Sequence, residues 1–245
     1  MRDGDEYVLN GTKFWITNGN FANLYSVIAR TDLDAGHKGL SAFVVPADTP
    51  GITTGRPIDK MGHRASDTCA VFFKDVRVPS ANRLGEEGDG FMVAMNSFNH
   101  TRPAVACLAI GIARRALEVS LQYSKKRQAF GAPIAMYEAV QFMVADMAME
   151  VEAARLLAHK AAWLMDEGKL DPKMASYAKA FAADAAMRIT TDAVQIHGGF
   201  GYTKLYPVEK LMRDAKLIQI YEGTSQIQRL LIMRRLVRES MAQEG

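Results

Sequence analysis

The chain changes its hydrophobic rhythm once. Residues 5–80 fall into short apolar runs rich in Val, Phe, Ile and Thr, separated by Gly, Pro and Asp clusters, which is the pattern of β-strands and turns. Leu24 to Thr31, Leu40 to Pro46 and Thr68 to Val78 are predicted strands. Asn10-Gly11 lies between Tyr7-Val8-Leu9 and Thr12-Lys13-Phe14-Trp15-Ile16-Thr17, so it predicts a hairpin, because Asn-Gly accepts the positive φ angles of a type I′ turn. From Phe91 onward the spacing is helical. Phe91 to Arg127 predicts one long helical stretch that Pro103 breaks or kinks near Thr101, since proline lacks an N–H and crowds the preceding turn. Val140, Val144, Met147, Val151, Ala154, Ala158, Ala161 and Met165 alternate steps of four and three, the seam of a bundle helix. Asp171-Pro172 predicts an N-cap and a first helical residue. That helix runs through Tyr177, Phe181 and Ile189 to Ile196, and Gly198-Gly199 stops it. A short segment around Val208 to Arg213 leads to a last helix from Ser225 to about Arg238. The expected architecture is therefore multi-domain α and β: an antiparallel β barrel or sandwich at residues 1–84, then an all-α four-helix bundle at 85–245.

Composition narrows the function classes. With 49% hydrophobic and 23% charged residues in 245, the chain can bury a substantial core. Thirty Lys and Arg against 27 Asp and Glu give +3, too little to argue for a nucleic acid or an anionic membrane. Cys69 and Cys107 have no metal-type spacing and read as reduced thiols. The five histidines form no His-x-x-x-His pattern, so no metal site is expected. No apolar run reaches the roughly 18–20 residues of a membrane span, and residues 1–6 hold no signal-peptide core.

Four segments can carry chemistry. In Ile220-Tyr221-Glu222-Gly223-Thr224-Ser225-Gln226-Ile227-Gln228, Ser225 and Gln228 make a capping-box pattern ahead of Ile227, Leu230 and Leu231. Glu222 then lies in the turn before a helix N-terminus, beside a glycine that admits a ligand; the plainer reading is a solvated carboxylate favoured by the helix dipole. Gln195-Ile196-His197-Gly198-Gly199-Phe200-Gly201 ends a helix in glycines whose N–H groups can form an anion nest, or simply a Schellman cap. Arg127-Gln128-Ala129-Phe130-Gly131 sets a cation and an aromatic at a helix end. Trp15-Ile16-Thr17-Asn18-Gly19 reads as an edge strand and turn with Trp15 half buried. No Gly-x-Gly-x-x-Gly follows a strand, so a Rossmann nucleotide site is not supported.

The order of these segments carries more than any one of them. Asn10 to Gly19, Met61-Gly62-His63-Arg64-Ala65-Ser66-Asp67-Thr68, Arg127 to Gly131, Gln195 to Gly199, and Asp214-Ala215-Lys216 through Arg229 together resemble the acyl-CoA dehydrogenase family, closest to its medium-chain type. The resemblance implies FAD as cofactor, α,β-dehydrogenation of an acyl-CoA thioester to the trans-2-enoyl-CoA, and electron-transfer flavoprotein as acceptor. It also implies a homotetramer, cytoplasmic in a bacterium or in the mitochondrial matrix of a eukaryote. By the same resemblance Glu222 is the base that removes the α proton, and flavin N5 accepts the β hydride. Trp15, Ile16 and Thr17 lie against the isoalloxazine ring. Arg127, Phe130, Gln195, Gly198 and Gly199 reach the FAD of a neighbouring subunit, and Thr224 and Gln226 also touch that cofactor. Arg102 and Asn99 lie near the substrate, and Gly223 beside the thioester. Some relatives carry the base at the position of Thr101, a residue that cannot act as one.

Three departures accompany the resemblance. The family's N-terminal helical domain and the strand with its Thr-Glu-Pro and Gly-Ser-Asp motifs are absent, so a longer product or a second chain is expected to complete the site. Glu138 stands where the family usually has Gln near the neighbour's FAD. Asn99 replaces an Asp near the CoA adenine. Two other readings share these features: a non-catalytic assembly subunit, and an acyl-CoA oxidase, which returns electrons to oxygen.

Overall fold

The computed structural model describes residues 2–244, and its contacts divide the chain into two compact units that meet between Ser97 and Phe98. The first unit is built of strands β1 (Arg2–Asp3), β2 (Glu6–Thr17), β3 (Leu24–Arg30), β4 (Leu40–Pro46), β5 (Ile52–Thr54), β6 (Thr68–Pro79) and β7 (Arg83–Leu84). They form two antiparallel sheets, ordered β1-β2-β6-β5 and β3-β4-β7. The period-two alternation of β-branched and aromatic residues turns Tyr7, Val27, Phe43, Val45, Val71 and Val78 inward to one core. Tyr7 is fully buried, and its hydroxyl is satisfied by Glu87 at 2.8 Å and Arg83 at 3.0 Å.

Asn10-Gly11 is not a hairpin. β2 runs straight through it and pairs with β6, and the register slips between Leu9 and Gly11. The positive φ that Gly11 supplies (145°) is used in a β-bulge, whose other side is Asp75 at φ 52°. Asn10 closes the bulge: its amide donates to Asp75 Oδ1 at 3.0 Å, and its Oδ1 accepts from the Asp75 N–H at 2.8 Å.

Helix α1 (Gly90–Lys126) starts within the first unit. A Cβ at Gly90 would lie 2.6 Å from the Ser41 backbone, so only glycine fits, and Phe91 stacks on His37 at 4.4 Å. These contacts put the dividing point inside the helix. Pro103 lies inside α1 without ending it. It removes one backbone hydrogen bond, at a cost of about 3 kcal/mol, and the long flanking helix and a buried ring absorb that.

In the second unit, a short ribbon of β8 (Gln128–Ala129) and β9 (Ala132–Pro133) leads to α2 (Glu138–Asp166), α3 (Pro172–His197), α4 (Val208–Ile218) and α5 (Ser225–Gln243). The bundle thus has a fifth, short helix, α4, beside the four expected. α2 buries Met147, Val151, Ala154, Ala158 and Ala161, five of the eight residues of its predicted seam, with Val140, Val144 and Met165 half-buried. α3 is capped by the Asp171 side chain, starts at Pro172 and ends at Gly198 with φ 56°. It packs on α2, α4 and α5, burying Ala178, Ala182, Ala183, Ala185 and Ala186 and leaving Arg188, Thr191 and Gln195 exposed. No helix of the described residues is long and apolar enough to cross a membrane.

Candidate active site

The turn between α4 and α5 holds its backbone in an unusual state. Glu222 has φ 56° and Gly223 φ 88°, two left-handed residues in succession. A non-glycine residue in that region costs about 1–3 kcal/mol and persists only where its surroundings enforce it. Here they do. Gln228 reaches back from α5, its Nε2 donating to the Glu222 and Gly223 carbonyls at 3.2 and 3.1 Å. The Ser225 N–H donates to the Gln219 carbonyl at 3.0 Å. Asp184 of α3 accepts from Gln219 Nε2, Ser225 Oγ and Arg229 at 2.7, 2.9 and 2.6 Å. Burial pushes the Asp184 carboxyl up, but these three donors outweigh it and hold it below the usual carboxylate range.

The helix cap lies one residue earlier than the capping-box pattern places it. Thr224 is the N-cap, its hydroxyl accepting from the Ile227 N–H at 3.2 Å. Ser225 is committed to Asp184 and Gln228 to the turn, so the Ser-x-x-Gln spacing serves the loop geometry. Gln226 is exposed on the first turn of α5.

Two cations lie beneath Glu222. Arg102 of α1 is 4% exposed; its guanidinium donates to Asn99 Oδ1 at 2.8 Å, and its Nε has no partner among the described residues. Burial lowers its pKa, opposed by the charge of Glu222. Lys179 of α3 is fully buried and donates to the Gly223 carbonyl at 2.7 Å. Burial pulls it down to about 8; Asp184 and Glu222 oppose that pull and Arg102 adds to it. Thr101, unable to be a base, donates its hydroxyl to Glu222 Oε2 at 2.8 Å. Neighbouring Tyr221 is pushed up by burial, and then by the Glu222 charge.

The far end of α3 makes a second locus. Gln195 and Lys179 are sixteen residues apart, roughly 24 Å along a helix. Gly198 and Gly199 are exposed, with open space where a Cβ would stand. With Arg127, Ile134 and His197 they line a cavity of about 500 Å3. His197 is buried, stacked on Tyr123 at 4.2 Å, with Nδ1 on the Ala193 carbonyl at 2.7 Å. Its Nε2 has no partner among the described residues, and burial lowers its pKa despite the Ala193 bond. The Gly198 N–H is taken up by the Gln195 carbonyl, and the open glycine backbone beside the Arg127 guanidinium leaves room for an anionic group such as a pyrophosphate. Phe130, at φ 48° on the β8–β9 turn, and Gln195 are both exposed.

Trp15, Ile16 and Thr17 belong to the β unit. The β2–β6 register slips again between Lys13 and Ile16, and Trp15 takes φ 63° there. This second bulge turns Trp15 out, 67% exposed instead of half buried as an ordinary edge strand would leave it. Its ring meets Phe14 edge-on at 4.9 Å.

Residues 88–237 match the model of the acyl-CoA dehydrogenase C-terminal domain, and residues 1–76 match that of its middle domain. The chain belongs to the acyl-CoA dehydrogenase family. It is 49% identical to the cyclohexane-1-carbonyl-CoA dehydrogenase of Geobacter metallireducens over 98% of this chain and 63% of that one. Butyryl-CoA dehydrogenase from Megasphaera elsdenii superimposes with a TM-score of 0.94 at 47% identity, over 96% of this chain and 62% of that one. A chain from the structure of the electron transferring flavoprotein of Acidaminococcus fermentans gives 0.94 at 49%, over 97% and 62%. The family chain described here thus spans less than two thirds of the length of these relatives.

Within this acyl-CoA dehydrogenase chain, Glu222, Gly223, Thr224, Arg102 and Asn99 come together around one turn, whereas Arg127, Gly198 and Gly199 gather at the far end of α3. Lys179 and Asp184 escape the sequence reading. Their only signal was a cation and an acid set among the alanines of the first half of α3.

Proposed function

We propose that this chain supplies the catalytic base and much of the FAD and acyl-CoA sites of an acyl-CoA dehydrogenase, which converts an acyl-CoA thioester to its trans-2-enoyl form. The observation that carries the proposal is the Glu222–Gly223 turn. An enforced left-handed carboxylate residue, next to a glycine and facing the charges of two buried cations, is costly to maintain. An α C–H beside a thioester is a weak acid, so a base must be held within hydrogen-bond reach, and the oxygen that gathers charge must meet a donor. Thr101 holds Glu222 Oε2, and Oε1 is then the atom that takes the α proton. The Glu222 N–H donates to the thioester oxygen. Arg102 and Lys179 set a positive field under the same turn, which favours charge developing there.

Arg127, Gln195, Gly198 and Gly199 would hold the phosphate side of FAD bound by a neighbouring subunit, with Phe130 beside them. Trp15, Ile16 and Thr17 would line its ring, and Thr224 and Gln226 would also touch it. FAD, when bound, supplies the acceptor for the β hydride. The roughly 24 Å of α3 between Lys179, at the Glu222 turn, and Gln195, beside the glycines, keeps the two loci separate within one chain, in keeping with a cofactor shared across a homotetramer. Electron-transfer flavoprotein is the proposed acceptor.

The test is Glu222→Gln in the FAD-loaded active form. The amide keeps shape and backbone but cannot take the proton, so turnover should fall about 10²–10⁴-fold, the usual contribution of a positioned base. Flavin bleaching by acyl-CoA and exchange of the α hydrogen for deuterium should fall together. Near-parental rates in both sink the assignment. Fast peroxide formation without an acceptor marks an oxidase, and a chain that never takes up FAD marks an assembly subunit.

A further inference from the structure

A buried lysine needs a reason. Lys179 is fully buried, and its only hydrogen bond described here goes to the Gly223 carbonyl at 2.7 Å. That carbonyl already accepts from Gln228 Nε2, so removing the lysine would strand no acceptor there. Asp184 keeps its three donors as well. Folding alone would be served by a methionine or leucine, and a buried ammonium makes the fold worse. The cost is spent at one place, the left-handed Glu222–Gly223 pair.

We propose that Lys179 is a positioning residue: its buried ammonium clamps the Gly223 carbonyl and so fixes the orientation in which Glu222 meets the substrate. The proposal rests on Glu222 being the base. The clamp is charge-assisted, and such a bond is roughly twice as strong as a neutral one. The neutral amine is therefore a weaker clamp. The charged groups facing Lys179 are Asp184 on its own helix, Arg102 on α1 and Glu222 on the turn, with Arg229 of α5 bound to Asp184. Among them burial dominates and brings the ammonium to about 8, so the clamp loosens within an accessible pH range.

The experiment compares the parent chain, Lys179→Met and Glu222→Gln in the FAD-loaded active form. Lys179→Met should lower kcat about 10- to 100-fold, the equivalent of one charge-assisted hydrogen bond, with KM changed by less than about threefold. The parent kcat should decline above pH 8, and that decline should be missing from Lys179→Met. Two further readouts need no turnover. The variant should melt no lower than the parent, and amides of the 219–228 segment should exchange with deuterium faster. A Lys179→Met enzyme with parental kcat and pH profile overturns the proposal, provided Glu222→Gln is inactive. If Glu222→Gln is itself active, the reading of the base has failed instead. A variant that melts well below the parent makes Lys179 a structural residue, which also overturns it.

Discussion

Methionine at position 179 keeps most of the lysine's length and removes its charge, and the helical unit should gain stability from the exchange at neutral pH. Burial lowers Lys179 from 10.5 to about 8, a gap worth about 3 kcal/mol at roughly 1.4 kcal/mol per pH unit. The variant loses the neutral part of the bond to the Gly223 carbonyl, about 1 kcal/mol. A net gain of about 2 kcal/mol should remain at pH 7. The sign follows from which state holds the proton. Below pH 8 both folded and unfolded chains are protonated here, so the parent bears the whole penalty. Between about 8 and 10.5 the folded chain has released a proton that the unfolded chain still binds, so parental stability rises with pH. Above 10.5 the penalty is gone, and the parent should be the more stable by about 1 kcal/mol. Urea unfolding of both chains, followed by the helical circular-dichroism signal from pH 6 to 11, measures the difference; titrations common to both chains cancel. A Lys179→Met chain less stable than the parent at pH 7, or a difference that stays flat from pH 8 to 10.5, refutes the reasoning.

Two further substitutions probe the site. Gly223→Ala should cost about 1–3 kcal/mol of stability and most of the turnover, because φ is 88° and the new Cβ would lie 2.6 Å from Gln228 Nε2, which holds the turn; parental melting and kcat would contradict this. Arg127→Ala should weaken FAD about 10- to 100-fold, the loss of one charge-assisted contact, as read by cofactor retention on gel filtration and by titration. An unchanged affinity would remove Arg127 from the cofactor site.

How much of this could be read from the sequence depended on whether the deciding interaction was local. Both ends of α3 were legible because Asp171-Pro172 and Gly198 act on their own backbone within a turn. The α2 seam was legible because its period survives any detail of packing. Asn10-Gly11 misled because the same positive φ serves a hairpin or a bulge, and the choice was made by Asp75, far along the chain. The α5 cap shifted by one residue because Asp184, on another helix, competed for Ser225. Pro103 did not end α1, because the residues on both sides of it had enough neighbours to stay helical. Around Glu222, the motif located the turn, but nothing within a few residues of it foretold the hydroxyl of Thr101 or the ammonium of Lys179.

The alanine surface of α3 has a mechanical consequence. The buried alanines leave the helix little slack where it packs, and it carries Lys179 and Asp184 towards one end and Gln195, Gly198 and Gly199 at the other. It behaves as a single beam gripped by its neighbours along its buried faces. A bulkier residue at one of the buried alanines would translate or tilt the beam, disturbing the proposed base and the proposed cofactor end together. Defects that look like two separate lesions in an activity screen can therefore share one cause, a substitution in the middle of α3 that touches neither site.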